Sequence, residues 1–505
     1  MPREPTPPDV PRTRAPAPDP TAPQVGPPPG TDPVAAEGAP LRPGLKQRHL
    51  TMLGLGGAIG AGLFVGSGAA ITVAGPGIVV SYLLAGVLAL LVMRMLGEMA
   101  AAMPASGAFS VHAERALGRW AGCTAGWLYW FLGVVVIAVE ATGAAQLAHG
   151  WLPAVPQWTW VLVFVVGCTA TNLTAVRNFG EFEFWFAALK VTAIVLFLVL
   201  GTLAVLGLLP GTRPVGLTHL TGAPGGFLPH GWSGVIAGLL AVVFAFGGLE
   251  VVTIAAAESD DPARSVARAV RSAVLRIAFC YVGSMLVVVT VLPWTAQRAG
   301  TSPYVTVLDS LGVPSAAAVM NVVVFVALLS ALNANLYGTS RMLHSLAGRG
   351  EAPRALLRVS GRPPGPGAGV PRRAVLASVT FGFVSVLFNL WWPDTVFLAM
   401  LNAVGAVLLY VWVLIALSQL RLRRRLERAA PERLVLRMWA FPWLTWAVLG
   451  LMAALLGLML NDAAARTQVL WSSGATAVVL ACAGLRELRA RRAGRSAEPS
   501  RPGRT

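Results

Sequence analysis

Two hydrophobic stretches of this chain are interrupted by glycine near their middles, and each is long enough to cross a lipid bilayer. The first, residues 50–73, contains Gly-Gly-Ala-Ile-Gly-Ala-Gly at positions 56–62, and the second, residues 234–257, contains Gly247 and Gly248. Glycine weakens a helix, and backbone groups that leave the helical ladder within lipid need other partners. A matched pair of broken helices is typical of a secondary transporter whose substrate binds at the breaks.

The composition predicts a membrane protein with many spans. The mean hydropathy is +0.67 and only 12% of the 505 residues are charged, whereas soluble domains carry about 25% charged residues. Apolar runs of about 20 residues can each span the hydrocarbon core. They predict twelve spans, numbered 1 to 12 in chain order: 50–73, 77–101, 120–147, 158–176, 184–209, 233–257, 274–294, 315–346, 374–391, 395–418, 439–460 and 468–485.

The formal net charge of +17 is distributed as expected for a protein inserted in a membrane. If the N-terminus and every second loop lie on one side, that side holds 35 of the 39 basic residues, and the other side holds only Arg213, Arg298 and Arg466. The positive-inside rule then places both termini in the cytoplasm. This asymmetry favours contact with anionic lipids over nucleic-acid binding.

The ends of the chain and its cysteines suggest no further chemistry. Residues 1–44 are rich in proline and small residues and predict a disordered cytoplasmic tail, residues 488–505 predict a basic disordered tail, and 45–487 form the membrane domain. The four cysteines lie in apolar runs and are interpreted as packing residues. Because the sequence has no nucleotide-binding or metal-binding motif, we expect no cofactor, no metal and no enzymatic activity.

The broken helices predict a site for a zwitterion. The N–H groups around Ala61 and Gly62 would favour a carboxylate, and the carbonyl groups near Ala58 and Phe244 would accept from an ammonium group. Alternatively, the glycines serve close helix packing. The predicted substrate-binding residues are Ala58, Ile59, Gly60, Ala61, Gly62, Phe244, Phe246, Gly247, Gly248 and Glu140, where both phenylalanines are expected to cover the substrate.

Several motifs resemble those of bacterial amino acid permeases of the amino acid–polyamine–organocation superfamily, in the group with the GABA and aromatic amino acid permeases. The motifs are Gly57–Phe64, Gly97-Glu98-Met99, Asn178–Trp185, Phe246–Glu250, Ala255–Ser259 and Ser340–Leu343. The resemblance implies an all-α membrane protein with the LeuT-type fold. In that fold, inverted repeats at about 45–209 and 232–418 are followed by peripheral helices 11 and 12 at about 438–486.

Lys190, in span 5, is predicted to couple transport to protons. The chain has only two lysines among its 39 basic residues, and a buried lysine can lose and regain its proton. The resemblance implies that this ammonium group stands where sodium-driven relatives hold a sodium ion, with Ser330 as a neighbour. The alternatives are a side chain that extends to the membrane interface and a static salt bridge with Glu183.

Four other acidic residues are predicted to have structural or functional roles. Glu250 follows the second break and is assigned either a structural or a proton-linked role, and the resemblance associates it with proton sensing. Glu140, isolated in span 3, is predicted to line the cavity, with core hydrogen bonding as the alternative. Glu98 and Glu258 are expected to form ion pairs near Arg115, Arg264 and Arg268.

The resulting functional prediction is proton-coupled uptake of an amino acid across the plasma membrane by alternating access. The expected partners are the amino acid, protons and membrane lipids, and the oligomeric state is open. An exchanger that uses the same site is the main alternative, and a sodium symporter or a membrane-embedded enzyme is disfavoured. The substrate also stays open, because residues 253–259 resemble GABA permeases whereas residues 245–250 resemble aromatic and small neutral amino acid permeases.

Overall fold

The structure is a computed structural model. It describes residues 48–49, 52, 59–105, 107–173, 176–209, 216–222, 225–256, 261–298, 300–358, 370–393, 395–461 and 463–496. Within these ranges every regular element of more than one residue is helical. Residues 37–505 form one unit by contact, and the predicted tail at 1–44 lies outside the described residues.

The described helices follow the predicted spans closely. Their bounds are α1 Ala61–Phe64, α2 Gly66–Ala74, α3 Ile78–Ala102, α4 Ala108–Leu117, α5 Arg119–Trp151, α6 Gln157–Asn172, α7 Val176–Val205, α8 Thr218–Thr221, α9 Gly231–Val242, α10 Val251–Ala256, α11 Pro262–Arg276, α12 Ser284–Val291, α13 Pro303–Ser310, α14 Pro314–Gly348, α15 Arg372–Trp391, α16 Val396–Ala429, α17 Trp443–Asn461 and α18 Ala463–Ser496.

Span 7 begins earlier than its apolar run suggests. The run was predicted to begin at residue 274, but α11 begins at Pro262 and continues through a π-helical segment, Ile277–Gly283, into α12. Val266 and Val270 on α11 are buried against Gly97 of α3, where an added Cβ would lie 2.7 Å from a methyl carbon of Val270. The first part of this span is therefore amphipathic rather than uniformly apolar, which hides it from a search for apolar runs.

The number of spans that meet a length and hydropathy test is smaller than twelve. Among the described residues, eight helices are long and apolar enough to cross a membrane, and the bent pair Gly231–Leu239 and Val243–Ala255 gives a ninth. Span 4 contributes only the 16 residues of α6. Span 1 begins outside the described residues, and its α2 runs through the short 3₁₀ turn Gly75–Gly77 into α3. Twelve spans therefore stay a prediction.

Helix α5 lies at the centre of the molecule. In its most apolar stretch 83% of the residues are buried, which is unusual for a membrane helix that faces lipid. Glycine allows its close approach to α14, since a Cβ at Gly133 would lie 2.0 Å from Thr339 Oγ1. This contact fixes α5 and α14 together as one wall of the site described below.

Candidate functional site

The second predicted break is present in the structure. Helix α9 tightens into the 3₁₀ turn Val243–Phe246, and Gly247 is extended with φ −64° and ψ 151°. The segments Gly231–Leu239 and Val243–Ala255 are bent by 41° relative to each other. Gly248 has a φ of 91°, which is a left-handed conformation that favours glycine. Backbone geometry thus explains the glycine at position 248, whereas Gly247 has angles that other residues also adopt.

The described part of the first span begins at its break. Gly60 precedes α1 with non-helical backbone angles, and Ile59 before it is buried. Residues 53–58, including the predicted site residue Ala58, lie outside the described residues. The Ala61 N–H donates to both carboxylate oxygens of Glu140, each at 3.1 Å. A Cβ on Gly60 would lie 2.4 Å from Glu140 Oε1, so the carboxylate needs glycine there.

The two interruptions lie against each other. A Cβ on Gly62 would approach the Cα of Ala245 to 2.7 Å and a ring carbon of Phe244 to 3.2 Å. Both segments border a cavity of about 30 Å³, which is room for about one water molecule. Its lining residues are Gly62, Tyr129, Leu132, Gly133, Val136, Glu140, Phe244, Ala245, Gly247, Gly248, Ala331, Asn335 and Leu408.

Glu250 is held directly beside the second break. Its Oε2 accepts from the Gly248 N–H at 3.0 Å, and its Oε1 accepts from the indole N–H of Trp412 on α16 at 2.6 Å. The side chain is 1% exposed. A carboxylate that accepts these two hydrogen bonds satisfies the backbone freed by the turn and ties it to α16.

Phe246 does not reach the cavity, although the sequence analysis expects it to cover the substrate. Its ring stacks on Tyr281 with the centroids 4.7 Å apart and lies 6.1 Å from the ring of Tyr82. The 3₁₀ turn rotates this side chain away from the break, whereas Phe244 lines the cavity. Phe246 therefore packs the break against α3 and the π-helical segment.

Lys190 is fully buried on α7. Its Nζ lies 3.9 Å from Glu183 Oε1 on the same helix, so the salt bridge that the sequence analysis named as an alternative is present. The Ser330 hydroxyl of α14 lies 2.9 Å from both oxygens of Glu183. The expected neighbour Ser330 thus contacts the lysine's acidic partner, and the group connects α7 with α14.

Comparisons with known proteins identify the family to which the sequence belongs. The sequence profile of the amino acid permease family matches residues 49–485. The gamma-aminobutyric acid permease of Bacillus subtilis (strain 168) is 47% identical over 87% of this chain and 92% of that protein. The aromatic amino acid transport protein AroP of Corynebacterium glutamicum is 49% identical over 85% of this chain and 92% of that protein.

This chain belongs to the amino acid permease family. The resemblance drawn from its motifs is thereby confirmed, and the permease is a multi-pass membrane protein that transports amino acids, not an enzyme. A solved structure of the Eremococcus coleocola manganese transporter, a point mutant, shares the fold. It is 15% identical, with a TM-score of 0.55 over 89% of this chain and 92% of that one. The permease therefore has the LeuT-type transporter fold.

Sequence reasoning missed several residues that line the permease's cavity. Tyr129 and Gly133 come from α5, Asn335 and Ala331 from α14, and Leu408 from α16. Two other polar residues of span 8 have different partners: Asn333 accepts from Asn172 at 2.6 Å, and Tyr337 lies beneath the guanidinium group of Arg341. Nothing in the sequence around Tyr129 indicates a site residue, apart from its position on the helix that also contains Glu140.

Glu98 has a different partner from the one that its sequence neighbours suggested. Its carboxylate pairs with Arg423 of α16 at 2.6 Å and accepts from the amide of Gln419 at 2.9 Å. The expected ion pair is thus present, but its partner is none of the three arginines named from the sequence. The chain separates Glu98 from Arg423 by more than 300 residues, and only the packing of α3 on α16 brings them together. Glu258 lies outside the described residues.

Proposed function

We propose that the permease takes up a neutral, aromatic or GABA-like amino acid together with a proton, by alternating access. The observation that carries the proposal is a buried lysine, Lys190, paired with Glu183 in the membrane. Leaving an ammonium group charged there costs about 3 kcal/mol or more. If Lys190 is charged in one state of the transport cycle and neutral in another, the binding and release of its proton can be linked to the movement of the substrate.

The substrate is proposed to bind between the two breaks. Its carboxylate would use the N–H groups at Ala61 and Gly62, and its ammonium group the carbonyl groups near Phe244 and Gly247. Because Glu140 accepts from Ala61 N–H, it must leave this position when the substrate's carboxylate arrives. It would then be available to accept from the substrate's ammonium group.

The size of the cavity supports movement during transport. A volume of about 30 Å³ is too small for an amino acid, so binding requires the lining elements to separate. The breaks supply backbone that can bend, as expected where two bundles rock around a central site. Glu250, which links the second break to Trp412 of α16, is proposed to sense that movement and to take part in proton linkage.

The substrate class is proposed from the relatives. The two proteins compared above are named for gamma-aminobutyric acid and for aromatic amino acids, and they are about equally similar to this chain. A backbone clamp recognises the groups that these substrates share. Tyr129 and Asn335 would contact the part of the substrate that differs, because they line the cavity on the side of α5 and α14.

The topology and the domain limits are proposed from the charge distribution and the composition of the sequence. Both termini would lie in the cytoplasm of a bacterial cell, with the transport domain at 45–487 between tails at 1–44 and 488–505. The arginine-rich side would contact anionic lipids of the plasma membrane.

Uptake by purified full-length protein in proteoliposomes tests the proposal. In sodium-free buffer an inward proton gradient should drive accumulation of radiolabelled 4-aminobutyrate or L-phenylalanine, and an unlabelled amino acid panel should rank the competitors. A proton-motive force of about 100 mV provides about 2.3 kcal/mol per proton. With one proton per neutral substrate molecule, this energy corresponds to about 40-fold accumulation. Counterflow without any gradient-driven accumulation would instead identify an exchanger.

Lys190→Met tests the assigned coupling residue. Methionine keeps the length and apolar character of the side chain but cannot carry a proton, so gradient-driven accumulation should fall to background while the variant still reaches the membrane. The readout is accumulation compared with the amount of protein in the vesicles. Accumulation that keeps its dependence on external pH in this variant would remove Lys190 from the mechanism.

A further inference from the structure

Glu183, the acidic partner of Lys190, is itself a buried carboxylate. Its side chain is 1% exposed and lies about two helical turns before Lys190 on α7. A carboxylate at this depth is unfavourable unless it is paired and hydrogen-bonded. Here both oxygens lie 2.9 Å from the Ser330 hydroxyl, and Oε1 lies 3.9 Å from Lys190 Nζ.

The neighbouring charges show which group acts on Lys190 most directly. Glu140 of α5 also interacts electrostatically with Lys190, but its carboxylate is occupied at the Ala61 N–H. On the side of α6, the thiol of Cys168 interacts electrostatically with Glu183. Ser330 supplies a neutral hydroxyl from α14. Glu183 thus lies at salt-bridge distance from the lysine.

We propose that Glu183 is the counter-charge of the coupling site, a positioning residue whose carboxylate stabilises the ammonium form of Lys190. The inference rests on the proposed function, because it matters to transport only if Lys190 carries the proton. The proton moves between water and Lys190 Nζ. While Lys190 is neutral, the hydrogen bond from Ser330 remains to stabilise the Glu183 carboxylate. The net charge of the pair then alternates between zero and minus one, and no oxidant or other reactant is needed.

The physical reason is the cost of an isolated charge in the membrane. Without an anion beside it, Lys190 would stay neutral at the pH outside the cell and could not take up a proton for symport. With Glu183 at 3.9 Å, attraction within a low-dielectric interior compensates for part of the lost hydration. The hydrogen bond from Ser330 holds the carboxylate in place and favours its charged form.

The test is the pH profile of uptake in three variants. Glu183→Gln removes the charge and keeps an oxygen that can accept from Ser330. Because the ammonium group loses the negative charge of this carboxylate, half-maximal uptake should shift to lower external pH by about one unit or more. Ser330→Ala should shift it in the same direction by less, because the carboxylate loses a donor. Glu183→Asp keeps the charge and should preserve coupling.

The assay is the initial rate of proton-driven uptake of 4-aminobutyrate or L-phenylalanine by the full chain in proteoliposomes, over a range of external pH. Glu427→Gln is the matched control, because Glu427 is 44% exposed and pairs with Arg423 far from Lys190; its profile should equal that of the wild type. If Glu183→Gln does not fold, Ser330→Ala carries the test alone.

The outcomes separate this inference from the proposed function. A wild-type protein that shows no pH-dependent uptake would overturn the proposed proton coupling itself. Wild-type coupling together with unshifted profiles in both Glu183→Gln and Ser330→Ala would overturn only the role of Glu183. A merely structural carboxylate would lower the amount of folded protein or the maximal rate without moving the midpoint of the profile.

Discussion

At the scale of single residues, the permease uses its own carboxylates to satisfy both helix breaks. Glu140 accepts from the Ala61 N–H, and Glu250 accepts from the Gly248 N–H. Such N–H groups have no water to bond with in the membrane, so a buried acceptor stabilises the broken backbone. The sequence shows each glutamate as an isolated charge in an apolar run. Glu250 lies only two residues after Gly248 and reaches its own break locally. That Glu140 reaches the first break, 79 residues away, follows only from how α5 packs against it.

His112 makes a residue-scale prediction about stability and pH. It lies on α4 between two spans, its ring bonds the Met103 carbonyl at 2.9 Å, and burial lowers the pKa of the imidazole to about 4. The unfolded chain, with a pKa near 6.5, binds the proton more readily, so stability should fall as pH drops from about 6.5 to about 4. The loss should approach 3 kcal/mol.

Thermal unfolding of the detergent-solubilised protein at several pH values checks this. His112→Gln should flatten the dependence over that interval, and uptake at neutral pH should keep its pH profile because the imidazole is neutral there. An unchanged acid dependence of unfolding in this variant would mean that other groups cause it.

At the scale of helices, the permease depends on two short broken elements that meet. The second break is made by a 3₁₀ turn, an extended Gly247 and a left-handed Gly248. Gly62 of α1 packs on the backbone of this turn. The sequence predicts the positions of the breaks because glycine is rare in helices without a reason. It does not reveal that Phe246 turns away into an aromatic cluster, since that orientation depends on the tightness of the turn.

Gly62→Ala tests whether transport depends on the close contact between the two breaks. The added methyl group would lie 2.7 Å from the Cα of Ala245, so the two breaks must separate and the cavity must change shape. We expect uptake to fall at least tenfold, about 1.4 kcal/mol in the rate-limiting step. The measurement is the initial uptake rate per folded transporter.

Gly66→Ala is the control on the same span. Its added methyl group would lie 3.4 Å from a side-chain carbon of Leu401, an ordinary contact that a small side-chain shift accommodates. This variant should transport like the wild type, since alanine also favours the helix. Equal activity of the Gly62 and Gly66 variants would contradict a tight contact between the breaks.

At the scale of the whole molecule, a buried polar network joins α3 to the far end of the chain. Glu98 pairs with Arg423 and accepts a hydrogen bond from the amide nitrogen of Gln419. The hydroxyl of Thr445 on α17 donates to the amide oxygen of Gln419 at 3.1 Å. Glu98 also accepts from the backbone N–H of Met438. The network thus connects α3, α16 and α17 through groups that would be unfavourable if buried singly.

Removing one charge from this network should destabilise the fold. Glu98→Gln removes the buried anion of Arg423, whose side chain is 7% exposed, and leaves it the exposed Glu427 as a charged partner. Breaking a buried pair costs about 3–5 kcal/mol, and the remaining contact with Glu427 places the expected loss at the lower end of that range. The apparent melting temperature in detergent should therefore drop.

The double variant Glu98→Met with Arg423→Met supplies the control. It removes both charges, so it should recover most of the loss. A double variant as unstable as Glu98→Gln would show that packing rather than an unpaired charge is responsible. Glu427→Gln, at the exposed side of Arg423, should change stability by less than about 1 kcal/mol.

The sequence by itself determined the class of protein, the positions of most spans, the two breaks and the family, because hydropathy, glycine placement and short motifs are local properties of the chain. It also singled out Lys190, since one lysine in an apolar run is conspicuous among so many arginines. The tertiary structure decided which groups meet: Glu140 with Ala61, Trp412 with Glu250, Ser330 with Glu183, and Arg423 with Glu98. Each of these pairs joins helices that are far apart in sequence. Many polar residues lie in apolar runs, and which of them contact each other depends on how the helices pack, which no local sequence pattern encodes.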